Sequence, residues 1–264
     1  MLKTLFHDPL ALGLAQAAEA AIAALAVVLL ARRRGIHLEK ELSVALIRGL
    51  VQIVAVGSIL LLLLRAPSWS SVFLLSAMIV AAGATSARRA KGMPGAFPVS
   101  TWAIACGAGS MIALMTWIGV IETPITTLVP VGSMLIANAM NTNGLALNRL
   151  RAEILAHVGE IDTALALGAD GKSAASTYVQ GSFEASLIPA IDSLRSLGIV
   201  WIPGLMAGML LSGAKPLYAA IYQFVVLAMI VASSGLTSLV STLLIRGRVF
   251  SPAEQLLLRP GNAA

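Results

Sequence analysis

LYAAIYQFVVLAMIVASSGLTSLVSTLLI, residues 217–245, contains no charged side chain. About 20 consecutive apolar residues suffice for a helix to cross the hydrocarbon of a bilayer, and a run of this length has no place on a water-washed surface. Six further stretches read the same way: 10–31, 42–64, 69–87, 99–121, 125–147 and 187–212, the last interrupted by Pro203-Gly204. Composition agrees, with 58% of residues hydrophobic, 11% charged and a mean hydropathy of +0.90, against roughly 25% charged in soluble domains. Inside a bilayer every backbone group must be paired, which leaves helices or closed barrels. The alternating ten-residue pattern of barrel strands is absent. The sequence therefore predicts an all-α, polytopic integral membrane protein with seven transmembrane helices, residues 1–264 forming one transmembrane domain.

The 18 Lys and Arg residues decide orientation, because basic residues accumulate on the cytoplasmic side. With the Arg32-Arg33-Arg34 side cytoplasmic, fifteen of them fall there: with Lys40 and Arg48, these are Arg88, Arg89, Lys91, Arg149, Arg151, Lys172, Arg195, Arg246, Arg248 and Arg259. Only Lys3, Arg65 and Lys215 fall outside. This places the N terminus outside and the C terminus in the cytoplasm, in an inner membrane. The net charge of +6 is thus explained by anionic headgroups and topology rather than by nucleic acid. The first span is too long for a signal-peptide core and reads as retained.

The outer loops are minimal, and the one long hydrophilic stretch, about 148–186, faces the cytoplasm. Within it Leu150, Ile154, Val158, Ile161 and Leu165 recur at helical spacing and form one apolar stripe. Gly168-Ala169-Asp170-Gly171 breaks the helix, and a second helical stretch follows from about Lys172 to Glu184, with Pro189 leading into the next span. Two readings stand: an amphipathic helix lying on the membrane, or a coupling element gripped by a cytoplasmic motor. The run 162–169, an acid and small residues ending in Gly168-Ala169, looks like the EAA loop of ABC permeases. Residues 166–173, ALGADGKS, match a relaxed phosphate-binding loop. The preceding residues are helix-forming rather than a buried strand, so that reading fails its structural condition.

Polar side chains inside the spans are costly and need a reason. Glu19 lies in the first span, Arg48 and Gln52 share a face of the second, Asn138 and Asn141 share a face of the fifth, and Gln223 lies in the seventh. They are either interhelical glue or the lining of a transport path. The spans are rich in Met, Met206 among them, which serves as flexible core or as a soft-metal ligand. Cys106 is the sole cysteine and reads as a core residue; His7, His37 and His157 have no ligand spacing. No catalytic constellation is visible, so an enzyme is not expected.

The run 45–52, ALIRGLVQ, with Gly57, resembles the opening of the FetB-like permeases, the membrane subunit of an iron-export ABC transporter with plant relatives associated with aluminium tolerance. Ala87-Arg88-Arg89, Pro130-Val131-Gly132, Asn138-Ala139-Met140-Asn141, the run 202–208 and Tyr222-Gln223 resemble the same family. The resemblance implies a homodimeric permease working with a separate ATP-binding cassette subunit, which would hold the ATP and Mg while this chain binds no cofactor. It implies a metal ion, iron, as exported substrate. The expected path residues are Glu19, Arg48, Gln52, Asn138, Asn141, Met206 and Gln223; those coupling to the ATPase are Glu153, Glu160, Asp162, Gly168 and Ala169. Against this stand an ATP-independent carrier or channel and an ABC permease for a non-metal substrate such as a sugar nucleotide.

Overall fold

The computed structural model describes residues 9–35, 37, 39–63, 67, 69–90 and 92–259. Lys3, His7, Arg65 and Lys91 lie outside them. Among the described residues the chain is helical, with only the isolated bridges Leu197↔Trp201 and Phe250↔Leu256. It forms two compact units, Met1–Ala66 and Pro67–Ala264.

The first unit is a helical hairpin, α1 (Pro9–Arg32) against α2 (Glu39–Leu63). The turn passes through Gly35 at φ +78°, a conformation that suits glycine. Arg32 Nη1 reaches Glu39 Oε1 across it at 3.5 Å. No described side chain of either helix is buried.

In the second unit, α3 (Ser70–Arg89) precedes α4 (Ala96–Ile104), which continues through a π-turn (Ala105–Gly109) into α5 (Ser110–Trp117). Then come α6 (Ile125–Ala156), α7 (Val158–Ala166), α8 (Gly171–Ala174), α9 (Ser176–Arg195), α10 (Gly204–Leu211) and α11 (Pro216–Val249). The central helix is α6, packed against α3, α9 and α11. Ile104, Met115, Leu135 and Val226 are buried in one apolar core, and Leu147, Leu150, Ile154 and Ile245 in a second nearer the α7 end. Small residues set how closely the helices approach. A side chain at Gly107 would stand 2.7 Å from the Ser233 carbonyl oxygen, and one at Gly132 would stand 2.9 Å from Leu75 Cδ2. On α11 Ser233, Ser234, Thr237, Ser238, Ser241 and Thr242 are all buried. Compact hydroxyl residues of this kind let helices pack closely where no water competes.

Five helical stretches are long and apolar enough to cross a membrane: Ala11–Leu30, Glu39–Ser58, Ser70–Arg89, Ala96–Trp117 and Pro216–Val249. This is a multi-pass membrane protein. Helix α6 is outside that group despite its 32 residues, because Asn138, Asn141, Asn143 and Asn148 dilute its hydropathy. The expected sixth span is built differently. Helix α9 starts at Ser176 and runs through Pro189, which sits inside the helix. The break comes at 196–203, and only the eight-residue α10 follows. Proline is tolerated inside a helix when neighbours cover the freed carbonyl, so Pro189 does not mark the boundary assigned to it.

Candidate functional site

The new course of α9 relocates a charged pair. Val179 belongs to one cluster with Ile245 and Val249, and Ser186 Oγ lies 2.7 Å from Ser238 Oγ, so α9 and α11 run antiparallel. Asp192 and Arg195, six and nine residues beyond Ser186, therefore lie level with about residues 232 and 229 of α11. That is the middle of its 34-residue length. Arg195, expected among the cytoplasmic charges, stands level with the middle of α11. It pairs with Asp192 at 3.6 Å, and their side chains are 78% and 60% exposed.

The adjoining helix α6 also exposes polar side chains. Asn141 is exposed and Asn138 half-buried, with Asn148 and Arg149 exposed further along. Where α6 and α9 adjoin, Leu145, Asn148, Arg149, Ala152, Ala185 and Ser186 line a groove of about 260 Å³. Elsewhere the exposed surface suits lipid: Phe73, Trp102, Phe224 and Leu243 stand on α3, α4 and α11. Lipid cannot cover an exposed ion pair and amides at mid-bilayer without a large desolvation cost. Water or another protein surface must face them.

The other expected path residues divide by unit. Glu19, Arg48 and Gln52 are exposed in the first unit and form no hydrogen bond or ion pair with described residues. In the second unit Asn138 Nδ2 donates to the Met134 carbonyl at 2.9 Å, a local bond that leaves its oxygen available. Gln223 is buried, and its Oε1 accepts the Met206 N–H at 3.2 Å, tying α11 to α10. Its Nε2 is buried with no partner. Asn143, absent from the sequence reading, is fully buried. It donates to Ser86 Oγ at 2.7 Å and its Oδ1 has no partner. Its signal was spacing, since Asn143 and Gly144 turn toward α3 while Asn141 turns away. Among the described residues no three His, Cys, Asp or Glu side chains gather as metal ligands. A cation here would meet amide, hydroxyl and carbonyl oxygens with single carboxylates.

The cytoplasm-type segment is stapled internally. Leu150, Ile154 and Ile161 of the apolar stripe are buried, with Val158 and Leu165 packed beside them, so the stripe faces protein. Glu153 pairs with Arg149 at 2.6 Å and with His157 at 3.5 Å. Glu160 accepts the Tyr178 hydroxyl at 2.9 Å, and the Tyr178 ring stacks on His157. Burial, and then the hydrogen bond to Glu160, push the Tyr178 phenol up. Asp162 pairs with Arg259 at 3.2 Å. The three acids expected to meet a partner thus hold the segment together. Its projecting part is the tip: Leu167 is 84% exposed, Gly168 turns at φ +93°, and Ala169 is half-buried. Asp170 caps α8 by accepting the Ser173 N–H at 3.0 Å. The phosphate-loop look-alike at 166–173 follows helix α7, not a strand.

The chain's C-terminal stretch closes over this segment. Leu256 and Leu258 are buried in the cluster that holds Ile161 and Val179. Glu254, at φ 57°, accepts the Gly171 N–H at 2.7 Å.

The sequence profile of the uncharacterised protein family UPF0014 matches residues 14–250. The chain is 32% identical over 240 residues to UPF0014 membrane protein STAR2 of Oryza sativa subsp. japonica, covering 90% of this chain and 84% of that protein. It is 30% identical to Protein ALUMINUM SENSITIVE 3 of Arabidopsis thaliana, covering 92% and 90%. It is 29% identical to the "Probable iron export permease protein FetB" of Escherichia coli (strain K12), covering 88% and 90%. No solved structure matches it.

Proposed function

The chain belongs to the UPF0014 family of membrane proteins, and from that premise we propose that it is the permease subunit of an ATP-binding cassette transporter exporting a metal cation, iron. The observation that carries the reading is the exposed Asp192–Arg195 pair level with mid-α11, together with the exposed Asn141 of the adjoining α6. A permanently lipid-facing helix could not keep this face. A homodimer in the inner membrane would bring two such faces round one water-filled path, with Asn138 and Asn141 presenting oxygen to a passing cation. Seven crossings follow if α6 and the broken α9–α10 pair each count as one, with the N terminus outside and the C terminus cytoplasmic. The relative named as an iron export permease supports the cargo assignment.

In this reading the ATP and Mg belong to a separate ATP-binding subunit, and the chain is a transport subunit rather than an enzyme. The partner would grip the tip at Leu167, Gly168 and Ala169, while the pairs at Glu153, Glu160 and Asp162 pass its motion on as one stiff body to α6 and α9. Glu19, Arg48 and Gln52 are proposed to contribute from the first unit. The test is iron efflux from proteoliposomes holding the chain with or without a candidate ATP-binding cassette subunit from the same organism. Transport should need both proteins and ATP. Leu167→Asp should abolish ATP-driven efflux yet leave the melting temperature unchanged, because that side chain touches little. Uphill movement by the chain alone would overturn the assignment.

A further inference from the structure

At the end of α6 remote from α7 lies a cavity of about 300 Å³ in which Glu122, Thr126, Thr127, Tyr218, Tyr222 and Met209 take part. Pro130 also lines it, and it is the key to the cavity's chemistry. A proline inside a helix has no N–H, so the carbonyl four residues earlier loses its usual donor. That carbonyl belongs to Thr126, another lining residue. The residues round the cavity thus carry a backbone carbonyl without its i+4 donor, two threonine hydroxyls, two phenol oxygens and one carboxylate. Hard cations choose oxygen sets of this kind.

The charge balance agrees. Helices α6 and α11 bring amino-terminal ends toward the cavity, α5 brings its carboxyl-terminal end, and α10 lies along it from Leu205 to Met209. The excess partial charge of about half a unit from the amino-terminal ends is smaller than the full charge of one carboxylate. The Glu122 carboxylate remains, exposed and without an ion pair among the described residues. Lys215, in the turn before α11, does not line the space. At about 300 Å³ the volume exceeds what a bare ion needs and leaves room for retained water.

We propose that this cavity is a cation vestibule, in which Glu122, Thr126 and the carbonyl freed by Pro130 hold a partly hydrated cation where the transport path opens at the end opposite the coupling segment. The proposal rests on the permease reading and adds a site to it. Binding of Tb³⁺ to the purified full-length protein in detergent tests it, read by luminescence sensitised through nearby aromatic rings, with Mn²⁺ as competitor. Glu122→Gln should weaken Tb³⁺ binding about tenfold or more by removing the one charged ligand. Pro130→Ala returns an N–H to the Thr126 carbonyl, so it should weaken binding several-fold with an equal or higher melting temperature. That combination is not expected of a damaged fold. Phe73→Leu, on the lipid-facing side of α3, should leave this binding intact. Unchanged Tb³⁺ affinity in both Glu122→Gln and Pro130→Ala would overturn the vestibule. Normal ATP-driven iron efflux in that case would keep the permease reading, whereas Glu122-dependent Tb³⁺ binding in a protein that moves no metal would sink the metal-export reading and leave a cation site with no path behind it.

Discussion

Asp192 and Arg195 stand one turn apart on α9, and their value to the protein differs from that of a surface ion pair. In water such a pair contributes at most about 1 kcal/mol. In a narrow path between helices, removing one partner leaves the other charge unbalanced where the cation must pass. Asp192→Asn and Arg195→Gln, made singly, should each lower iron efflux by about tenfold, which corresponds to about 1.4 kcal/mol. The exchanged double variant, Asp192→Arg with Arg195→Asp, should recover part of the loss; efflux rates across the four proteins decide it. Asp170 acts on a different property. Hydrogen bonds from Ser173 hold its carboxyl below the ordinary 3.8. A depressed folded value means that its contribution is complete above the unfolded value and is lost as pH falls through the lowered one. Proteolysis of the 166–175 turn should therefore rise below about pH 4 in the wild type. In Asp170→Asn, where no proton is taken up, it should depend far less on pH.

At the scale of elements, the C-terminal stretch and the coupling segment behave as one body. Leu256 and Leu258 are buried against α7 and α9, Arg259 reaches Asp162, and Glu254 accepts from Gly171 in a backbone conformation unusual for glutamate. Burying a leucine contributes about 1.5–3 kcal/mol. Truncation after Phe250 should thus lower stability by roughly 3 kcal/mol or more, measured as a fall in melting temperature in detergent. It should also loosen α7 and α8 toward hydrogen exchange while α3 and α4 stay protected. This strap lies beyond the family match, which ends at residue 250, and composition did not reveal it. Its few apolar residues have no period of their own and gain meaning only against Ile161 and Val179. The apolar stripe from Leu150 to Leu165 was legible because helical spacing states which residues share a face. The boundary between α9 and the next span was not, because Pro189 reads as a breaker in isolation and only the packing on α11 shows that the helix continues through it.

For the whole molecule, the question is which surfaces meet lipid. The apolar pattern read α6 as a crossing but misplaced the course of α9, and both are more polar than their neighbours in part because Asn138 and Asn141 of α6, and Asp192 and Arg195 of α9, lie on surfaces that lipid cannot cover. A helix lining a path must look less like a membrane span than its neighbours, so the elements hardest to read from sequence are those nearest the function. Single cysteines placed in a Cys106→Ala background test this directly. At Asn141, Ala137 or Arg195 a cysteine in intact membranes should react with a charged, water-soluble thiol reagent. At Phe73, Trp102 or Phe224, which are comparably exposed, it should react only with a lipid-soluble reagent. Equal exposure with opposite reactivity follows only if the face shared by α6 and α9 borders water while the faces of α3, α4 and α11 border lipid. Uniform protection at Asn141 and Arg195 would mean that a dry protein contact covers the polar face. The path would then have to lie elsewhere, with Asp192 and Arg195 serving to fix that contact. Adding ATP and the ATP-binding subunit separates the remaining cases: a face that lines an alternating path should change its reactivity with nucleotide, and a static water-filled cleft should not.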